Sequence, residues 1–140
     1  MTIIATDTNR LSNLIKKTDA FYAPELCNQL VTVNEASAIT YKVGTVLGKV
    51  TATGKYIRSV QTAVDGSQVP AAIFIADNFG NNLSTPILAA TDTKVLSLFR
   101  GKVVVSAFAI DLDASFTAGA LVLGAYASLA IQNILVESFA

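Results

Sequence analysis

From residue 39 onward, apolar and polar positions alternate with a period of two. Ile39, Tyr41 and Val43 are separated by polar residues, and Thr45, Val46 and Leu47 continue between Gly44 and Gly48. That period places alternate side chains on one face of a half-buried strand. Residues 50–57 (VTATGKYI) read as a strand, a turn at Gly54 and a returning strand. Val64-Asp65-Gly66-Ser67 is a turn signal, because glycine removes the steric cost of a positive φ. The apolar run 71–76 predicts a short buried strand, ended by a loop over 77–82, and Pro86 opens a further connection. Residues 94–99 and 102–108 flank Arg100-Gly101, which predicts a kink or bulge within one long strand path. A short helix is expected over 125–132 and a closing strand over 134–136. No long-period repeat and no low-complexity linker divides the chain.

Residues 1–38 follow a different pattern. Asp7 or Thr8 caps a predicted short helix in which Leu11, Leu14 and Ile15 share one face, with Lys16 and Lys17 in its last turn. A helix this short is marginal alone, so its apolar stripe needs something to pack against. Pro24 keeps Ala23 out of the helical region, so residues 19–24 read as extended, with Phe21, Tyr22 and Leu26 as anchors. The expected organisation is an N-terminal arm over 1–38 and a mainly β (α+β) domain over 39–140.

Composition narrows the function. A chain of 140 residues suits one domain, and that size buries about 68% of the unfolded surface. Of its residues 52% are hydrophobic and 14% charged, with mean hydropathy +0.53. That charge content is about half of the usual ~25%, so apolar surface is left over to meet a partner. Ten Lys+Arg balance ten Asp+Glu; zero net charge supplies no basic stripe for nucleic acid. There is no His, which removes Ser-His-Asp and Cys-His nucleophiles and the commonest metal ligand. Cys27 stands alone, so it forms no internal disulfide or four-ligand zinc site and reads as a small buried hydrophobe. Residues 1–9 carry neither a basic run nor an apolar core, so no secretion signal is expected. Residues 114–136 are free of charge but broken by Gly119, Gly124, Ser128, Gln132 and Asn133. A buried strand-helix-strand segment suits them better than a membrane span.

Candidate chemistry is sparse. Asp111 and Asp113 are the one close carboxylate pair; at i, i+2 on a strand they would share a face, as an acid/base or metal pair does. A polar strand end before Ser115 and Thr117 is the plainer reading. Asp65 and Asp77 bring no cluster that calcium would need. Gly44, Gly48 and Gly54 match no phosphate-binding loop and read as turn or bulge glycines. Asn82-Leu83-Ser84 fits the N-glycosylation triplet, a match common by chance. The β-region aromatics read as core, while Phe21 and Tyr22 in the arm are equally suited to a partner. No catalytic residue, metal site or cofactor is expected.

The order of segments carries a resemblance. YKVGTVLGKVTATGKY (41–56) is followed by a DGS turn, PAAIFIAD (70–77), VLSLFRGKVVVSAF (95–108) with Arg100-Gly101 inside it, and a tail closing with AIQNILVES (130–138). Residues 39–138 resemble the head decoration proteins of tailed phages, of the lambda D type. The resemblance implies a small β-barrel-like decoration fold with one or two short helices. It implies a capsid cement: homotrimers on the outside of the expanded head, at three-fold and quasi-three-fold positions, stabilising it against internal DNA pressure. The partners implied are the major capsid protein and two further copies, with no direct nucleic acid and no membrane. The location implied is the outer capsid surface of the virion, after synthesis in the host cytoplasm. In that family the N-terminal segment contacts the shell, which makes Leu11, Leu14, Ile15, Phe21, Tyr22, Pro24 and Leu26 the capsid-contact candidates here. The arm is longer than the resemblance leads one to expect. The alternative reading is a head-fibre or tail-associated module that binds a host-surface glycan through lined-up aromatics.

Overall fold

The computed structural model describes residues 14–18, 28–81, 84–99, 103–107, 109–117 and 119–137. Their strands are β1 (Ile15–Thr18), β2 (Asn28–Val33), β3 (Ile39–Tyr41), β4 (Val46–Lys49), β5 (Tyr56–Arg58), β6 (Pro70–Asp77), β7 (Thr85–Ile87), β8 (Thr93–Leu98), β9 (Val103–Ser106) and β10 (Ile134–Glu137). One helix, α1 (Ala120–Ile131), precedes β10. The fold is mainly β, as the alternation predicts.

Five strands close into a ring in the order β2-β5-β4-β6-β8. β6 is apolar without alternation because both of its faces are covered. Ala72 and Phe74 join Val31, Val33, Tyr41, Leu47, Ile87 and Val95 in one cluster, drawn from four ring strands and from the β3-β7 pair. Ile73 and Ile75 join a second cluster with Val46, Leu98, Val103, Val105, Leu129 and Ile134. The second cluster is roofed by α1 and by the sheet β1-β9-β10, in which β1 runs antiparallel and β10 parallel to β9. The Tyr41 and Phe74 rings meet at 5.5 Å and 60° in the first cluster; such a tilted pair contributes about 1 kcal/mol beyond its buried area.

Several expectations change. Lys16 and Lys17 lie in β1 rather than in a last helical turn, and Ile15 pairs with Val105. Leu14, directly before β1, is helical, so helix gives way to strand at Ile15, where the edge of β9 offers backbone partners; residues 7–13 of the predicted helix lie outside the described residues. β2 pairs with β8 along its full length. Pro86 belongs to β7, opposite Thr40 of β3; a two-stranded sheet leaves an outer edge where a missing N–H costs nothing. β8 and β9 fall in separate sheets rather than on one strand path. α1 begins five residues before the predicted 125, and residues 114–115 form a turn where a strand was expected. The predicted extended segment 19–24, Cys27 and the Arg100-Gly101 kink lie outside the described residues.

Candidate protein-contact surface

α1 has two apolar faces. Ala125 and Leu129 are buried against the protein, as a surface helix requires. On the opposite side Ala120, Leu123, Gly124, Ala127 and Ile131 are exposed. Leu123 is 65% and Ile131 80% accessible. The helix contains no charged residue. A surface helix ordinarily turns polar residues outward, and one that is apolar all round is covered on all sides. Gly124 costs helix stability, about 1 kcal/mol relative to Ala. Within the protomer a Cβ at Gly124 would meet nothing within 4 Å. Leu135 of β10, 47% accessible, adds to the exposed apolar residues of this C-terminal segment.

The Asp111/Asp113 pair is occupied. The Arg58 guanidinium donates to both Asp111 oxygens at 3.2 Å, Nη1 to Oδ2 and Nη2 to Oδ1. Arg58 Nε lies 3.5 Å from Asp113 Oδ1, at ion-pair range but without a hydrogen bond. The Arg58 backbone N–H donates to Glu35 Oε1 at 2.6 Å, and the buried Tyr41 hydroxyl donates to the same oxygen. Burial, reinforced by Glu35, pushes the Tyr41 hydroxyl far above its usual range. Burial raises the Asp113 carboxyl, but hydrogen bonds from Ser115 and the Arg58 charge outweigh it and leave it low. The two carboxylates hold an arginine between ring and loop. Arg58→Met is expected to cost about 2 kcal/mol, less than a fully buried pair because these side chains are partly wet. Urea denaturation measures it.

The pH profile follows from the same groups. Asp65 is held low by the Ser67 hydroxyl and N–H, Asp77 by Asn81 and Phe79 N–H groups, and Asp92 by Asn34 and Lys55. A carboxyl lower in the folded state adds stability above its unfolded value of about 3.9, lost as pH falls through the folded one. Tyr41 is raised, so its contribution is lost as pH climbs from about 10 toward the folded value. With no His, urea midpoints are expected to stay flat between about pH 5 and pH 8 and to fall on either side. A step near pH 6.5 would contradict this.

The contact candidates divide. Leu14 and Ile15, 0% and 9% accessible, pack in their own chain's core. Leu11, Phe21, Tyr22, Pro24 and Leu26 lie outside the described residues. The outer face of α1 was not singled out by sequence; its signal was the lack of charge across both helical faces. Among the described residues Phe79 is the one strongly exposed aromatic, so no aromatic row forms there. No helix of the described residues is long and apolar enough to cross a membrane. Among them, no three potential His, Cys, Asp or Glu ligands gather.

The sequence model of the family described as bacteriophage lambda head decoration protein D matches residues 6–134. No curated protein and no solved structure matches the chain.

Proposed function

The chain belongs to the bacteriophage lambda head decoration protein D family, and from that premise we propose that it cements the expanded phage head as a homotrimer on the outer capsid surface. The family match over residues 6–134 carries the reading. That family is structural rather than enzymatic, which agrees with carboxylates consumed by Arg58. The uncharged outer face of α1 supports self-association: its small residues admit a close neighbour, and Leu123 and Ile131 flank them as apolar anchors. The neighbouring protomer is the occupant we assign to that face. The major capsid protein is assigned to the segment holding Leu11, Phe21, Tyr22, Pro24 and Leu26, while Leu14 and Ile15 tether that segment to the core.

Binding is the whole of the work. A ligand that binds one state stabilises it by RT ln(1 + [L]/Kd), about 2.7 kcal/mol at 100 times Kd. Three linked segments on one trimer add avidity where all engage together. Mixing the protein with undecorated expanded and unexpanded heads tests the proposal. Expanded heads should bind it in multiples of three copies and withstand higher temperature, and unexpanded heads should bind little. Absence of binding to expanded heads ends the reading. Phe21→Ala with Tyr22→Ala is expected to lower head occupancy by about tenfold or more, for two lost aromatic anchors; unchanged occupancy moves the shell contact elsewhere.

A further inference from the structure

β2 pairs with β8 over all six residues but meets its other neighbour, β5, only at Val33 and Tyr56. There the Asn34 N–H donates to the Tyr56 carbonyl at 3.1 Å. Backbone groups of a strand point alternately to its two sides. That bond therefore sets the even-numbered residues toward β5, so Asn28, Leu30 and Thr32 turn their backbone groups to the same side. The chain that would have covered them is diverted. The Gly54 N–H donates to the Val50 carbonyl at 2.8 Å, closing a turn with Gly54 at φ 71, and β5 begins only at Tyr56. Among the described residues, no strand lies beside residues 28–32 on that side.

The opening is a groove of about 410 Å³ whose lining includes Leu30, Thr32, Lys49, Lys55, Asp92 and Lys94. Three ammonium groups face one carboxylate. Lys55 pairs with Asp92 at 2.9 Å, and the Lys94 charge also acts on that one carboxylate, so the groove's described side chains carry an excess of positive charge. Lys94 Nζ donates to the Thr32 hydroxyl at 2.6 Å, holding its charge over β2. Leu30, 47% accessible, offers an apolar contact on the same strand.

We propose that this seam accepts an acidic, extended polypeptide segment, which adds a strand to β2 at residues 28–32 and neutralises Lys49 and Lys94. A strand edge presents donors and acceptors in alternation at about 3.3 Å per residue, and an extended backbone satisfies both where a small anion satisfies only the charge. Edge lysines repel neutral or basic strands that would otherwise aggregate on such an edge; an acidic strand is the one they favour. The proposal is independent of the shell reading, since it stands on the β2 edge and its lysines and has its own test.

The probe is a fluorescein-labelled octapeptide of alternating Glu and Thr, titrated against the full chain and read by anisotropy. Two controls accompany it: the same peptide with Lys for Glu, and the Glu peptide N-methylated at alternate residues. Only the unmodified acidic peptide should bind, and high salt should weaken it. Lys49→Glu with Lys94→Glu should weaken binding by about tenfold or more with melting temperature unchanged. Amide hydrogen exchange at Leu30 and Thr32 should slow when the peptide is present. Equal binding of the N-methylated peptide reduces the seam to an ionic patch and overturns strand addition. Equal binding of the Lys peptide, or none by the Glu peptide, overturns the proposal as a whole.

Discussion

A single methyl group at position 48 is expected to break the ring. The Cβ of Gly48→Ala would stand 1.9 Å from the Ser67 carbonyl oxygen, 2.6 Å from its carbon and 2.7 Å from its Cα. All three are backbone atoms, so no rotamer relieves the overlap. Ser67 cannot recede, because its carbonyl accepts the buried Ser59 hydroxyl at 2.8 Å and its N–H donates to Asp65 at 3.0 Å. β4 cannot recede either: Gly48 pairs with Ile57 of β5 on one side and Pro70 of β6 on the other. Either shift breaks ladder bonds in a closed ring. Overpacking of this kind costs about 3 kcal/mol or more, a large part of a domain's ~5–15 kcal/mol. Gly80→Ala is the internal control. Nothing lies within 4 Å of its Cβ, so only the positive φ of 82 is penalised, by about 1 kcal/mol. Urea midpoints for the two variants should separate clearly. If Gly48→Ala lost less than Gly80→Ala, the 65–67 loop would not be packed against β4.

The contrast with Gly80 also marks what sequence could carry. In the chain Gly48 reads as a turn or bulge glycine and Gly80 as one residue of the 77–82 loop. What separates them is a loop 19 residues away (67 against 48) laid over β4, a contact no local pattern announces. The strands at 39–49, 56–58 and 70–77 were legible because each carries its own alternation or apolar run. β1 was not, since Ile15 fits a helical stripe as well as a strand and its pairing with β9 decides for the strand. Pro86 argued against a strand on local grounds, and only the free outer edge of β7 makes it acceptable. The carboxylates at 111 and 113 were visible as a pair. Their partner, Arg58, lies 53 residues from Asp111 and turns candidate chemistry into a structural clamp. α1 was read as buried, and half of it is. Its inner face is covered by its own chain, and the other face is exposed and apolar.

Leu123→Lys with Ile131→Lys is therefore expected to spare the protomer and abolish assembly. Both side chains are mostly exposed, at 65% and 80%, and surface changes of this kind stay within about 0.5 kcal/mol. Lys propagates a helix at least as well as Ile, and at position 131 its charge suits the C-terminal end of the helix dipole. Neither substitution meets the core, which α1 reaches through Ala125 and Leu129. In a packed interface the same ammonium groups would lose water without gaining a carboxylate, since α1 supplies none. At about 2 kcal/mol or more for each unpaired charge, two per protomer weaken each contact by roughly a thousandfold. A three-fold ring repeats the penalty at every subunit boundary. Light scattering should report monomers whose melting curve matches the parent, and expanded heads should stay undecorated. Leu123→Met with Ile131→Val, which keeps the face apolar, should restore both trimer and decoration. If the lysine variant still trimerised and coated heads fully, α1 would not be the subunit contact. The loss of assembly with folding preserved is the opposite of what Gly48→Ala should give, and that difference separates a surface kept for a neighbour from a core that closes on itself.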